Sequence, residues 1–198
     1  MITEVFTKEQ RKRLIELYPY LQPTNIWTGE IPGGFDYEYV RGEGEIPEGW
    51  RRLFFMYCKT IRDPLIKANM LDKFKFSDIK EKYGTLRLYN MGYPENIGYI
   101  TTLYEGFSQY VCENCGERAS VVSYGWITSL CDRCWADYPI NCPCDFLPKA
   151  KWAKVEIWNS KINSLVAIYY SYKSLIKEYD KIKNLTNEEF YNYLTTLE

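Results

Sequence analysis

The stretches "VCENCG" at 111–116 and "SLCDRCWAD" at 129–137 place two Cys-x-x-Cys pairs fifteen residues apart, in a chain of 198 residues without histidine. No other feature constrains the fold as strongly. The turn within a Cys-x-x-Cys unit points both sulfurs inward, and two such units complete the tetrahedral shell that Zn²⁺ prefers. Cys112, Cys115, Cys131 and Cys134 are therefore expected to hold one Zn²⁺. Val121-Val122, Tyr124-Gly125-Trp126, then Ile127 and Leu130 read as strand, turn, strand. A knuckle, a hairpin and a second knuckle leading into a helix describe a treble-clef-like or ribbon-like module. A redox role needs a Cys-x-x-Cys in a thioredoxin-like βαβ setting, which the sequence does not offer. Four thiolates also close the shell, whereas a catalytic zinc keeps a position open for water. Without histidine the commonest general base is missing too. The metal is read as structural.

Three cysteines remain. Cys58 falls on an apolar helical stripe, where a thiol behaves as a small hydrophobe. Cys142 and Cys144 could exchange with the second knuckle, contribute to a second metal site, or stay idle. Seven cysteines are an odd number, and the start "MITEVFTKEQRKRLIEL" has no apolar core before a small-residue cleavage site. A reducing cytoplasm and free thiols are expected rather than disulfides. The longest apolar run, "LVAIYY" at 165–170, is far too short to span a membrane.

The fold class expected around the metal is α+β. Residues 1–48 read as a short helix with capping-box spacing at Thr7 and Gln10, then a Pro/Gly-rich segment with one strand at 35–40, where Phe35, Tyr37 and Tyr39 alternate. Residues 49–110 read as a helix–hairpin–helix core. Trp50, Leu53, Phe54, Tyr57, Ile61 and Leu65 share one helical face, with a break or kink expected at Asp63-Pro64. "FKFSDIKEKYGTLRLYN" at 74–90 reads as a β-hairpin, and 95–110 as a helix. Residues 111–148 form the four-cysteine zinc module. Within 149–198, Val155, Trp158, Ile162, Leu165, Tyr169, Tyr172, Ile176 and Tyr179 recur at heptad spacing, predicting one long helix. A short helix capped by Thr186 and Glu189 then closes a helical hairpin. The seam either packs on its own domain or supports self-association through 155–179.

Four motifs in order, "GW" at 49–50, "IKEKYGTLRLY" at 79–89, "CENCG" at 112–116 and "GWITSLCDRC" at 125–134, resemble a family of small uncharacterised zinc-knuckle proteins of bacteria and their phages. The likeness spans roughly 49–138. It implies a zinc-stapled α/β module and a phage or prophage origin, hence the host cytoplasm, and it brings no activity. Ser129 stands where that family often has Thr.

Net charge is −1, which argues against nucleic-acid binding by bulk electrostatics, although 49–110 carries 10 basic and 6 acidic groups. At the hairpin turn, Lys80, Lys82, Tyr83 and Arg87 make a candidate contact surface for phosphate and a base, or else a charged hairpin end. A nuclease-like cluster of Asp78, Glu81 and Lys82 lacks defensible spacing. The leading expectation is a non-enzymatic binding protein acting on a host or phage protein. A nucleic-acid-binding accessory factor is the alternative, and an enzyme comes third.

Overall fold

The computed structural model describes residues 5–91, 94–123, 127–138, 144–146, 156–159, 164–167 and 169–197. Helix α1, Lys8–Leu17, starts where expected: the Thr7 hydroxyl accepts from the Gln10 amide and the Gln10 side chain accepts from the Thr7 amide. Pro19 then opens a single 3-10 turn, Pro19–Leu21. The Pro/Gly-rich segment that follows contains no strand. Phe35, Tyr37 and Tyr39 instead cluster, with ring centroids 5.4 and 5.7 Å from Phe35, and Tyr37 takes a left-handed φ of +55°. A strand needs extended backbone and a pairing partner, and 35–40 has neither. This segment is tied to α1 by a buried ion pair, Arg11 Nε to Glu43 Oε2 at 2.9 Å.

Helix α2, Arg51–Lys67, presents Leu53, Phe54, Tyr57, Cys58, Ile61 and Leu65 to the core. Pro64 lies inside it, and the helix ends only three residues later. Strands β1, Lys75–Lys82, and β2, Thr85–Met91, form the expected hairpin, with an irregularity between Phe76 and Asp78. Helix α3, Glu95–Ser108, packs against both α2 and β2. Strand β3, Val121–Ser123, pairs antiparallel with β4, Ser129–Leu130, on one side and with β5, Cys144–Phe146, on the other. Between β4 and β5 comes the one-turn helix α4, Asp132–Ala136.

The long heptad helix is corrected. Residues Glu156–Asn159 and Ser164–Ala167 pair as antiparallel strands β6 and β7, and helix α5 spans only Tyr169–Ile182. Ile157, Trp158 and Val166 are strand-favouring residue types, while Asn159 and Ser164 are poor helix formers. Apolar residues spaced three and four apart over so short a stretch fit either structure. Helix α6, Asn187–Thr195, has the predicted capping box and packs against α1 and α2.

One hydrophobic cluster runs from Phe6 to Leu194, drawing on α1, α2, both strands of the hairpin, α3, α5 and α6. Helix α5 joins it through Leu175, Tyr179 and Ile182, one turn apart, with Ile176 half-buried. Much of the tyrosine content serves this core: Tyr18, Tyr20, Tyr57, Tyr104 and Tyr179 are buried. Their hydroxyls find partners, as where Tyr20 donates to the Cys58 carbonyl at 2.6 Å and Tyr57 meets Thr101 at 2.8 Å. Burial lifts the phenols of Tyr20 and Tyr57 above their ordinary range, so they stay neutral donors.

Candidate metal centre

The four predicted ligands come together. The sulfurs of Cys112, Cys115, Cys131 and Cys134 all lie within 4.8 Å of one another. Cys115 and Cys131 are 3.6 Å apart, too far for a disulfide. Zn–S bonds of about 2.3 Å in a tetrahedron place neighbouring sulfurs roughly 3.8 Å apart, so the residues fit the ion. Two different local structures supply them. Cys112 and Cys115 lie in a turn after α3, closed by the Gly116 amide donating to the Cys112 carbonyl at 2.9 Å, with Gly116 at φ +76°. Cys131 is the N-cap of α4, and its sulfur accepts from the Cys134 amide.

Environment separates the thiols. Burial pushes Cys112 up. At Cys115 burial also opposes ionisation, but the Glu117 amide and the neighbouring thiols outweigh it and bring the group down to about 7.

The centre is locked to the rest of the fold by contacts that sequence reasoning missed. Gly49 donates its amide to the Glu113 carbonyl at 2.7 Å, and a Cβ at Gly49 would lie 2.0 Å from the Cys112 carbonyl oxygen. Next to it, the fully buried Trp50 donates its indole N–H to the Val111 carbonyl at 2.8 Å. "GW" is therefore the seat on which the first knuckle rests. Inside the first Cys-x-x-Cys, Glu113 joins the two knuckles: its amide donates to the Ser129 carbonyl at 3.0 Å and its carboxylate accepts from the Ser129 amide at 2.7 Å. Burial drives this carboxyl up to about 7. From α5, Tyr179 donates to the Gly116 carbonyl at 2.8 Å, while Lys183 and Asp180 pair with Glu117 and Arg118. The sequence hints were the GW motif at 49–50 and the place of Tyr179 on an apolar seam; for Glu113 there was none.

The candidate contact surface lies beside this centre. Tyr83 and Gly84 form the two-residue turn, both with positive φ. The tip does not stand free. The Ser129 hydroxyl donates to the Gly84 carbonyl at 3.2 Å, and a Cβ on Gly84 would reach 3.0 Å from Ile127. Lys80 faces Arg87 across the hairpin, but Lys80 pairs with Asp78, and Arg87 with Glu105 at 3.5 Å. Lys82 sits 5.5 Å from the Tyr83 ring centroid, and Tyr83 is 69% exposed. Asp78 and Lys82 share one face of the strand, whereas Glu81 falls on the other and accepts from the Gly84 amide. The acidic-basic cluster of a nuclease is not assembled by these three.

Cys58 is buried in the core. Cys144 belongs to β5, and Cys142 lies outside the described residues. Among the described residues no helix is long and apolar enough to cross a membrane. No protein-family model, curated protein or solved structure matches the chain.

Proposed function

We propose that the chain is a non-enzymatic binding protein in which a structural Zn²⁺ on Cys112, Cys115, Cys131 and Cys134 staples a treble-clef-like module to an α+β core. The convergence of four sulfurs carries this reading. A tetrathiolate leaves no coordination position for substrate or water, so the ion's work is architectural. The order of knuckle, short hairpin and one-turn helix bearing the second ligand pair supports the treble-clef comparison. The same reading takes a host or phage protein as partner, in the host cytoplasm of a phage- or prophage-encoded system, in line with the motif resemblance. Elemental analysis of purified protein should give about one zinc per chain, and Co²⁺ substitution should give thiolate-to-metal charge-transfer bands. Metal-free protein that folds identically would sink the staple.

A nucleic-acid-binding accessory role ranks second. Lys82 and the exposed Tyr83 favour it, while the carboxylates on Lys80 and Arg87 cancel much of the charge it needs. A steep salt dependence in a DNA or RNA shift, lost in Lys82→Ala, would raise it to first.

A further inference from the structure

Among the described residues, the most exposed large hydrophobic side chain, Trp27, lies in the segment between Pro23 and Val40. Trp27 is 83% exposed and Ile31 53% exposed. An exposed tryptophan on a loose loop would mean little, but this loop is closed by its own hydrogen bonds. The Asn25 side-chain carbonyl accepts from the Trp27 amide at 2.9 Å and the Thr28 amide at 3.2 Å. The Asn25 main chain accepts from Gly29 at 2.8 Å and donates to Glu30 at 2.9 Å. Thr28 and Glu30 are tied by a further side-chain bond at 3.1 Å. The backbone is thus set before any partner arrives, which lowers the ordering cost of using Trp27 as an anchor.

Charge points to what the anchor meets. Residues 23–40 hold Glu30, Asp36 and Glu38 and no basic side chain. Asp36 pairs with Lys8; Glu30 and Glu38 make no ion pair among the described residues. Glu30 within the closed loop and Glu38 along the same segment disfavour phosphate backbones and anionic bilayers, and complement a cationic surface. We infer that the loop at 25–31 is a preformed docking site for another protein that offers an apolar pocket rimmed by lysine or arginine, with Trp27 as the inserted anchor. This rests on the protein-binding reading above and names the surface that does the binding.

The test uses the zinc-loaded full chain with fluorotryptophan at its six tryptophans, the Trp27 resonance being assigned by Trp27→Phe. It is titrated with a leucine–lysine amphipathic peptide and with its leucine–glutamate counterpart. The lysine peptide should move the Trp27 resonance selectively. Affinity should fall about thirtyfold in Trp27→Ala, as for a buried interface tryptophan, and about threefold for each of E30Q and E38Q. An unmoved Trp27 signal, equal response to the glutamate peptide, response to anionic lipid vesicles, or a shift with protein concentration alone, which marks self-association, each overturns the inference. A protein partner retained undiminished by the Trp27→Ala chain would overturn the loop and leave the protein-binding reading standing.

Discussion

At Gly49 the absence of a side chain decides whether the first knuckle can form. A Cβ there would meet the Cys112 carbonyl at 2.0 Å, the Gly116 amide at 2.6 Å and the Glu113 carbonyl at 2.7 Å, all backbone atoms that cannot swing aside. Gly49→Ala should therefore destabilise the fold by about 3 kcal/mol or more and lower zinc retention, read by denaturant melts and metal content. A variant as stable as the parent would remove this seat from the account. Glu113 makes a second prediction. Glu113→Ala leaves the buried Ser129 amide unsatisfied, a loss of about 1–3 kcal/mol, whereas Glu113→Gln keeps an acceptor and should recover most of it. The carboxyl's folded value, about 7, lies above the 4.5 of an ordinary Glu. Stability should thus decline as pH rises between those values, because the unfolded state ionises first. In Glu113→Gln that part of the decline disappears, leaving the opposite acid loss of metal caused by thiolate protonation.

Among the elements, the β1–β2 turn is the clearest case of local strain. Tyr83 holds φ +55° and Gly84 φ +70°, the pair of left-handed residues that a tight two-residue hairpin demands. Asparagine suits the first position better than a bulky ring. Tyr83→Asn should raise stability by about 0.5–1 kcal/mol, and no gain in a thermal melt would mean that the ring contributes packing of equal worth. Elements with a strong local signature could be read from the sequence. Both capping boxes appear where Thr and Gln or Glu are spaced for them, and α2 keeps its expected apolar face, although it runs on through Pro64 to Lys67 where a break or kink is expected from the sequence. Those that failed depended on partners. Alternation at 35–40 looks extended, yet strands form by pairing, and the three rings collapse on one another instead. The spacing of three and four from Val155 to Leu165 does not distinguish a helix from strands whose pairing register it cannot specify. At the metal, the ligands announced themselves by type and spacing. The seat formed by Gly49, Glu113 and Tyr179 did not, because contacts across 63 residues leave no local pattern.

At the scale of the whole molecule, apolar burial is unevenly divided between the core and the four-cysteine module. The principal cluster extends from Phe6 to Leu194, whereas the separate cluster beside the four cysteines holds, among the described residues, Cys112, Leu130 and Cys131, with Cys134, Trp135 and Tyr138 packed against them. So little apolar burial cannot by itself order two knuckles and a one-turn helix against chain entropy. On the proposed zinc reading, metal binding, worth about 10–16 kcal/mol in small zinc modules at neutral pH, would supply what burial lacks. Helix α5 has a foot on each side: Leu175, Tyr179 and Ile182 belong to the principal cluster, while the Tyr179 hydroxyl, Asp180 and, just past its end, Lys183 hold the first knuckle. Deleting 149–198 would therefore strip core residues as well as any partner surface, and the deleted chain should fail to fold rather than remain as a zinc-bound remnant. Chelation is the cleaner separation of the two sources. Removing zinc from the full chain should unprotect backbone amides over 111–138 and slacken α5, while α1, α2, the hairpin and α3 keep theirs in hydrogen exchange. Cys112→Ser and Cys134→Ser should reproduce that pattern without chelator. If all amides instead lost protection together, the metal would be holding up the principal core as well, and the division between core and staple would fall.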